Sequence, residues 1–422
     1  MGKADLGERL KRLGLHRGLG KVRSRPRRRG PAIEELLSGQ IVDTDHGPFF
    51  LYREGHGLDA RHGQHALADL LAHPQQAAAL LARDERLSGV DFRRMAFIDT
   101  ETTGLAGGTG TYAFLVGVGV FDEEGFSIHQ FFMRDYDEEL AMLHALGELL
   151  DGLEAVVSFN GKSFDLPLLE TRFIMARQPP RLIDAPHLDL LPVARRFWKY
   201  RLDSCALSSL ETEVLGVQRT EDDVPGWLIP GLYVDYARSG DSREMPRIFY
   251  HNAQDILSLV TLTARMCDLL SAPLPPDADV PGEDLYGLAR LLNELGQSDR
   301  AEAAFEQSAL TSQSEQVREM AMRDLAYLLK RQERREEALP WWQQLVESRT
   351  SVYACEELAK HYEWQDADLA QAVAWTEQAI ALAGAWAPGS KRRDTLAQLE
   401  HRLERLNRKL SLAEEPDDES PD

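Results

Sequence analysis

The stretch FIDTETTGLAGGTGTYAFLVGVGV, residues 97–120, decides the fold, because its glycines admit two readings. Gly108-Thr109-Gly110-Thr111-Tyr112-Ala113 comes close to the pattern GxGxxG/A, in which a helix starts at the glycines and turns its N-terminus towards a pyrophosphate. Here the apolar, β-rich run Tyr112–Phe121 follows instead, with the length of a strand, and no Lys-Ser/Thr pair is present to make a P-loop. Gly104, Gly107, Gly108 and Gly110 therefore read as a turn between two strands. The chemistry of the stretch then lies in Asp99 and Glu101. Residues i and i+2 of a strand share a face, so both carboxylates project together from the end of an apolar strand. Two such acids repel, and a divalent cation relieves the repulsion. A lone pair of this kind also fits two solvated acids at a strand end.

Working outward, GFSIHQFFM (125–133) is a third strand, which makes an antiparallel meander. DEELAMLHALGELLDG (137–152) is an amphipathic helix, EAVVSFNG (154–161) a strand, and SFDLPLLETRFIMAR (163–177) a helix. HLDLLPVARRFWKY (187–200), LSSLETEVLG (207–216) and MPRIFYHNAQDILSLVTLTARMCDLL (245–270) read as further helices. The order predicts a mixed α/β domain over 91–272, with helices packed on a central sheet. Residues 1–35 read as a basic flexible arm and 36–90 as a small lead-in region.

A Pro/Asp-rich linker at 273–285 leads to an all-helical region, 286–410, before an acidic tail at 411–422. LYGLARLLNELGQSDRAEAAFEQSAL (285–310) overlays on MRDLAYLLKRQERREEALPWWQQLV (322–346) and on CEELAKHYEWQDADLAQAVAWTEQAI (355–380). Ala289, Ala326 and Ala359 recur in the first helices, and Ala301, Ala338 and Ala372 in the second. A period near about 34 residues resembles tetratricopeptide (TPR) repeats. Trp341, Trp342 and Trp375 read as packing residues between those helices.

No run of about 18 apolar residues occurs, which argues against a membrane span. Cys205, Cys267 and Cys355 are odd in number and far apart, so neither a disulfide framework nor a zinc site is expected, and a cytoplasmic protein fits. The net charge of −21 argues against a nucleic-acid partner, but it averages over the basic first segment, which can still reach phosphates. The same Arg-rich segment also reads as a solvated tail or, less well given Asp5 and Glu8, as a transit peptide.

Asp99 and Glu101 are not the only acids of interest. FNGKSFDLPLL (159–169) turns from a strand into a helix with Asp165 at its start, and YHNAQDILSL (250–259) carries Asp255 inside an amphipathic helix. His251 precedes Asp255 by four residues, so the two share a helical face. Four carboxylates on three separate elements suit a two-metal phosphoryl-transfer site, and hard oxygen donors select Mg²⁺ or Mn²⁺. FIDTETTGL, FNGKSFDLPLL and HNAQDILSL resemble, in order, the three motifs of the DEDD (DnaQ-like) exonuclease superfamily, whose fold is ribonuclease-H-like. The segments between motifs two and three resemble a bacterial branch that adds C-terminal TPR repeats.

The resemblance implies an α/β ribonuclease-H-like domain followed by an all-α TPR-like domain. It implies a 3′→5′ exonuclease acting on DNA or RNA, with two Mg²⁺ or Mn²⁺ ions held by Asp99, Glu101, Asp165 and Asp255. Glu101 would also orient the attacking water, Asn160 would lie near the substrate backbone, and Thr103 and Leu105 near the terminal nucleotide. The third motif departs from the family. One subgroup has His five residues before the last Asp and the other has Tyr four before it, whereas here His251 stands at four and Tyr250 at five. His251 is the expected general base, with Tyr250 in reserve and a structural His251 the bland alternative. Asp189 reads as a helix-cap or supporting acid. Lys162, Arg172, Arg195, Arg196, Lys199 and Arg201 are candidate phosphate contacts, each with a solvated-surface reading, and Trp198 reads as core. A structure-specific endonuclease, or a non-catalytic nucleic-acid-binding TPR scaffold with a protein partner, are the competing functions.

Overall fold

The computed structural model describes residues 30–104, 110–179, 184–274, 280–347 and 351–414. The first 29 residues, Leu105, Gly107, Gly108 and the chain from 415 onward lie outside them. The chain forms two compact units that interleave in sequence. One holds the described residues up to Gln75, Gly89–Asp189 and Leu215–Leu262, and the other Gln76–Ser88, Leu190–Val214 and the chain from Thr263 onward.

The first unit is built on a seven-stranded sheet. Its strands are β1 (Gln40–Thr44), β2 (Gly47–His56), β5 (Met95–Thr102), β6 (Ala113–Phe121), β7 (Phe126–Phe132), β8 (Ala155–Ser158) and β9 (His187–Asp189), in the order β1-β2-β7-β6-β5-β8-β9. Two short strands, β3 (Arg61–His62) and β4 (His65–Ala66), pair separately. The meander β5-β6-β7 is antiparallel as its alternation and turns predict, while β8 runs parallel to β5, and β9 to β8. The DEEG turn joins β6 to β7, and a helix carries the chain into each parallel strand.

Two differences from the sequence reading concern strands. Residues 40–56, taken as part of a lead-in, supply an antiparallel hairpin whose β2 continues the sheet beyond β7. HLDLL begins with a three-residue strand before the helix Leu190–Trp198, since alternation over three residues leaves too little signal to separate it from the helix. LSSLETEVLG is a short α-turn, Leu207–Leu210, that widens over Glu211–Leu215.

Four helices flank this sheet: α1 (Glu139–Leu150), α2 (Asp165–Met175), α3 (Ile229–Ser239) and α4 (Met245–Ser271). The core joins Phe114, Phe132, Leu143, Phe173, Tyr233 and Phe249, all at most 2% exposed. Each such side chain contributes roughly 1.5–3 kcal/mol of burial. The central strand β6 is buried at every position and carries Gly117 and Gly119 against α4. A Cβ on Gly117 would lie 2.1 Å from Asn252 Oδ1 and 2.5 Å from Ile256 Cδ1, so a glycine is what allows α4 to seat on the strand.

The second unit is helical. Gly282–Glu294, Ser298–Thr311, Glu315–Arg331, Arg335–Glu347, Val352–Trp364, Leu369–Gly384 and Ser390–Glu414 each pack on the next. The first four residues of the expected acidic tail belong to that last helix. The six alanines that recur in sequence are all fully buried where successive helices meet. Glu363 is fully buried and accepts from Arg402, Arg405 and Lys409 at 2.7–3.0 Å, which ties the final helix to Val352–Trp364.

Candidate active site

Three chain segments deliver four carboxylates to one end of the sheet. Asp99 and Glu101 lie near the C-terminal end of β5, opposite Gly117 and Leu115 of β6. The parallel neighbour β8 ends at Ser158, and the turn after it starts α2 with Asp165. Crevices beyond the carboxyl ends of parallel strands are the usual ligand sites of α/β sheets. Asp255 comes from α4, between Asn252 and Ile256, the two residues that meet Gly117 of β6.

The turn after β8 is held by polar contacts. Asn160 adopts a left-handed φ of 64°, and its N–H donates to Asp189 Oδ1 at 2.8 Å, while Lys162 N–H donates to Asp189 Oδ2 at 3.2 Å. Asp189 thereby braces the loop that presents Asp165, and its charge also bears on that residue. The Thr100 hydroxyl, on the opposite face of β5, donates to Asp165. Asn252 donates to Asp99 Oδ2 at 2.8 Å and to the Asp99 carbonyl at 3.2 Å, and its own Oδ1 accepts from buried Gln130.

The acids are crowded and poorly hydrated. Burial, reinforced by Asp255, Glu101 and Asp165, holds the Asp99 carboxyl well above the usual carboxylate range. Burial pushes Glu101 up to about 8 against the opposing pull of His251, and burial raises Asp165 to about 6. Such a set lacks positive charge, and all its donors are hard oxygens. Hard oxygens are the donor type that divalent cations such as Mg²⁺ and Mn²⁺ take. Among the described residues, no group of three or more His, Cys, Asp and Glu is arranged to hold an ion as it stands. Arg219 is instead the cation that reaches this end of the sheet, with its guanidinium donating to Asp255.

His251 stands among these groups. Its Nε2 is 3.9 Å from Glu101 Oε1 and 3.7 Å from Asp255 Oδ2. On the other side of the ring, Nδ1 is 2.8 Å from Asp223 Oδ1 and 3.1 Å from Arg219 Nη1. Burial acts to lower the imidazole pKa, but Asp255, Glu101 and the Asp223 hydrogen bond outweigh it and raise it above the ordinary value. Gly226 backs the ring, since a Cβ there would lie 3.7 Å from His251 Nε2, and the next residue, Trp227, is 73% exposed.

The remaining sequence candidates have other surroundings. The Tyr250 hydroxyl accepts from Thr220 N–H at 3.4 Å. The Thr103 hydroxyl accepts from Tyr112 N–H at 3.0 Å and closes the hairpin. Leu105 lies outside the described residues, and the Asn160 side chain is exposed. Arg172 and Arg201 are spoken for: Arg172 forks onto Glu139 at 2.5 and 2.6 Å over the Tyr112 ring, and Arg201 forks onto Asp284 at 2.7 and 3.1 Å. Trp198 is fully buried core. Sequence reading did not single out Thr100, Arg219, Asp223 or Asn252. The only available signals were the position of Asn252 beside His251 and the acids in EDDVPG.

Comparison with known proteins bears on the fold. A family model of the ribonuclease H superfamily matches residues 96–267, which span β5 to α4. YprB of Bacillus subtilis (strain 168), an uncharacterised protein, is 31% identical over 365 residues, covering 84% of each chain. Among solved structures, PcrH from Pseudomonas aeruginosa matches 30% of this chain and 91% of its own, at 20% identity and a TM-score of 0.25, too loosely to bear on the fold. With that identity over most of both lengths, the chain belongs to the family of YprB and carries a ribonuclease H superfamily domain.

Proposed function

We propose that the protein is a metal-dependent nuclease of the DEDD type, a 3′→5′ exonuclease that hydrolyses phosphodiester bonds of DNA or RNA. The observation that carries this reading is the convergence of Asp99, Glu101, Asp165 and Asp255, the carboxyls of the first three raised by burial, around a histidine that an acid orients. Buried repelling acids cost stability unless the site is built to receive cations. Two divalent ions, when bound, supply the charge that activates water and stabilises the leaving 3′-oxygen.

The chain's own groups would divide the remaining work. Asp223 holds Nδ1, which leaves Nε2, on the side of Glu101 and Asp255, to accept the proton of the attacking water. Glu101 would orient that water. Asn252 fixes the Asp99 carboxylate through a hydrogen bond, so that little reorganisation is needed when a cation arrives. Tyr250, with its hydroxyl at Thr220, is the less suited base. Thr103, Leu105 and Asn160 are carried as substrate neighbours by the family resemblance alone. We assign the helical unit to TPR-like repeats with a protein partner, on the buried alanine periodicity. Three free cysteines suit a reducing cytoplasm.

The test uses purified protein with end-labelled single- and double-stranded DNA and RNA, in Mg²⁺, Mn²⁺ or EDTA, beside Asp99→Ala. The expected result is a ladder from the 3′ end that requires metal and falls by about 10³-fold or more in the variant. Internal cuts would point to the endonuclease, and wild-type cleavage no greater than that of Asp99→Ala would leave the non-catalytic scaffold.

A further inference from the structure

Four cationic side chains of the helical unit, Arg83, Arg196, Lys199 and Arg290, line a cavity of about 210 Å³ with one acid, Glu294. Four cations less one carboxylate leave the lining at +3, in a chain whose net charge is −21. Glu294 is contacted by Arg83 and lies 4.0 Å from Arg290, so a single carboxylate answers two guanidiniums. Arg290 donates to the Tyr200 hydroxyl, and the Lys199 ammonium stands 4.8 Å from the centre of that ring. Arg196 donates at 3.3 Å to the Leu81 carbonyl, a neutral acceptor. Burial lowers the Arg196 pKa, and the like charge of Arg83 lowers it further. An anion in the cavity would relieve both.

The backbone around the cavity is arranged to bring these charges together. Arg83 follows the helix Gln76–Ala82 with a left-handed φ of 56°, a conformation that glycine takes freely and that a Cβ makes unfavourable. On the helix Gly282–Glu294, a Cβ at Gly287 would lie 2.5 Å from the Arg196 carbonyl, so the two segments meet as closely as their backbones allow. That approach sets Arg196 and Lys199 beside Arg290.

We propose that this cavity is an anion site for a phosphate group presented by the backbone of a nucleic-acid strand. Planar guanidiniums match phosphate oxygens in pairs, which a carboxylate or halide would use less fully. The cavity is smaller than typical pockets for whole small molecules, roughly 300–1,000 Å³, and is therefore suited to a phosphate with the edge of its sugar rather than to a complete dinucleotide. The site is independent of whether the carboxylates of the other unit hydrolyse anything. A strand held here would meet a local charge opposite to that of the protein as a whole.

The experiment uses the full chain in EDTA, so that no strand is cut. Inorganic phosphate is titrated by calorimetry, and a labelled single-stranded oligonucleotide by anisotropy over a range of salt. Wild type is compared with the double variant Lys199→Gln/Arg83→Gly, whose glycine relieves the left-handed backbone and which is expected to melt no lower than wild type. The expected result is an oligonucleotide affinity about tenfold weaker in the double variant, with a log–log salt slope smaller by about 0.7 for each charge removed. Loss of phosphate binding with oligonucleotide affinity unchanged would overturn the strand as the source and leave free phosphate or a nucleotide. Unchanged binding of both, in a variant that melts like wild type, would overturn the site.

Discussion

Glu101 is a carboxyl that the folded, metal-free chain holds protonated far above the usual range. Its pKa of about 8, against 4.5 for the free side chain, means that the folded state binds this proton more tightly than the unfolded state does. Stability is therefore highest at low pH and falls as pH rises from the unfolded value through the folded one, by up to about 1.4 kcal/mol per unit for this group. Glu101→Gln removes that loss. In EDTA at pH 8 it should melt above wild type, with the difference shrinking towards pH 5, while cleavage is abolished; scanning fluorimetry across that window checks the sign. Asp223 offers a separate test. Asp223→Asn keeps the shape but weakens the hold on Nδ1, so kcat should fall by about 10- to 100-fold with KM little changed and the pH–rate profile displaced. His251→Ala should cost more, and full activity in that variant would remove His251 as the base. The four acids and His251 stood out because their three stretches resemble, in order, the motifs of one family, whereas the strand pattern alone left the pair Asp99 and Glu101 open to a solvated reading. Arg219 and Asp223 were not, because a loop side chain that reaches a helix about thirty residues later leaves no period in the sequence.

At the level of elements, the site depends on how α4 lies on β6. The strand was readable from its apolar run, and two glycines in a strand are a known sign of close approach, yet nothing local says what approaches. The contact partner, α4, starts more than a hundred residues downstream. Gly117→Ala sets a methyl against Asn252 and Ile256, one side chain that holds Asp99 and one that follows Asp255. Overpacking of this kind costs about 1–3 kcal/mol. The variant should therefore melt lower, and below its transition it should lose more activity than the unfolded fraction explains. Activity and circular dichroism measured together at one temperature distinguish displacement of the helix from loss of fold. The hairpin β1-β2 shows a different limit: its alternation was visible, but its attachment to β7 is a pairing across some seventy residues that composition does not encode.

At the scale of the whole molecule, net charge of −21 sets a repulsive background for any polyanion. Basic segments then govern approach, and the first 30 residues are the most basic part of the chain. Deleting them should weaken nucleic-acid affinity and flatten its dependence on salt, measured by anisotropy in EDTA; an unchanged slope would make the segment a passive tail. The succession of helices after the linker was legible because amphipathic periodicity and recurring alanines are local. The division of the chain was harder to see, since Gln76–Ser88 and Leu190–Val214 belong with the distant C-terminal helices rather than with their neighbours in sequence.

That interleaving has a practical meaning. The carboxylate-bearing unit is written in three separated stretches, with stretches of its companion spliced between them. No single pair of cuts in the chain therefore separates the two units.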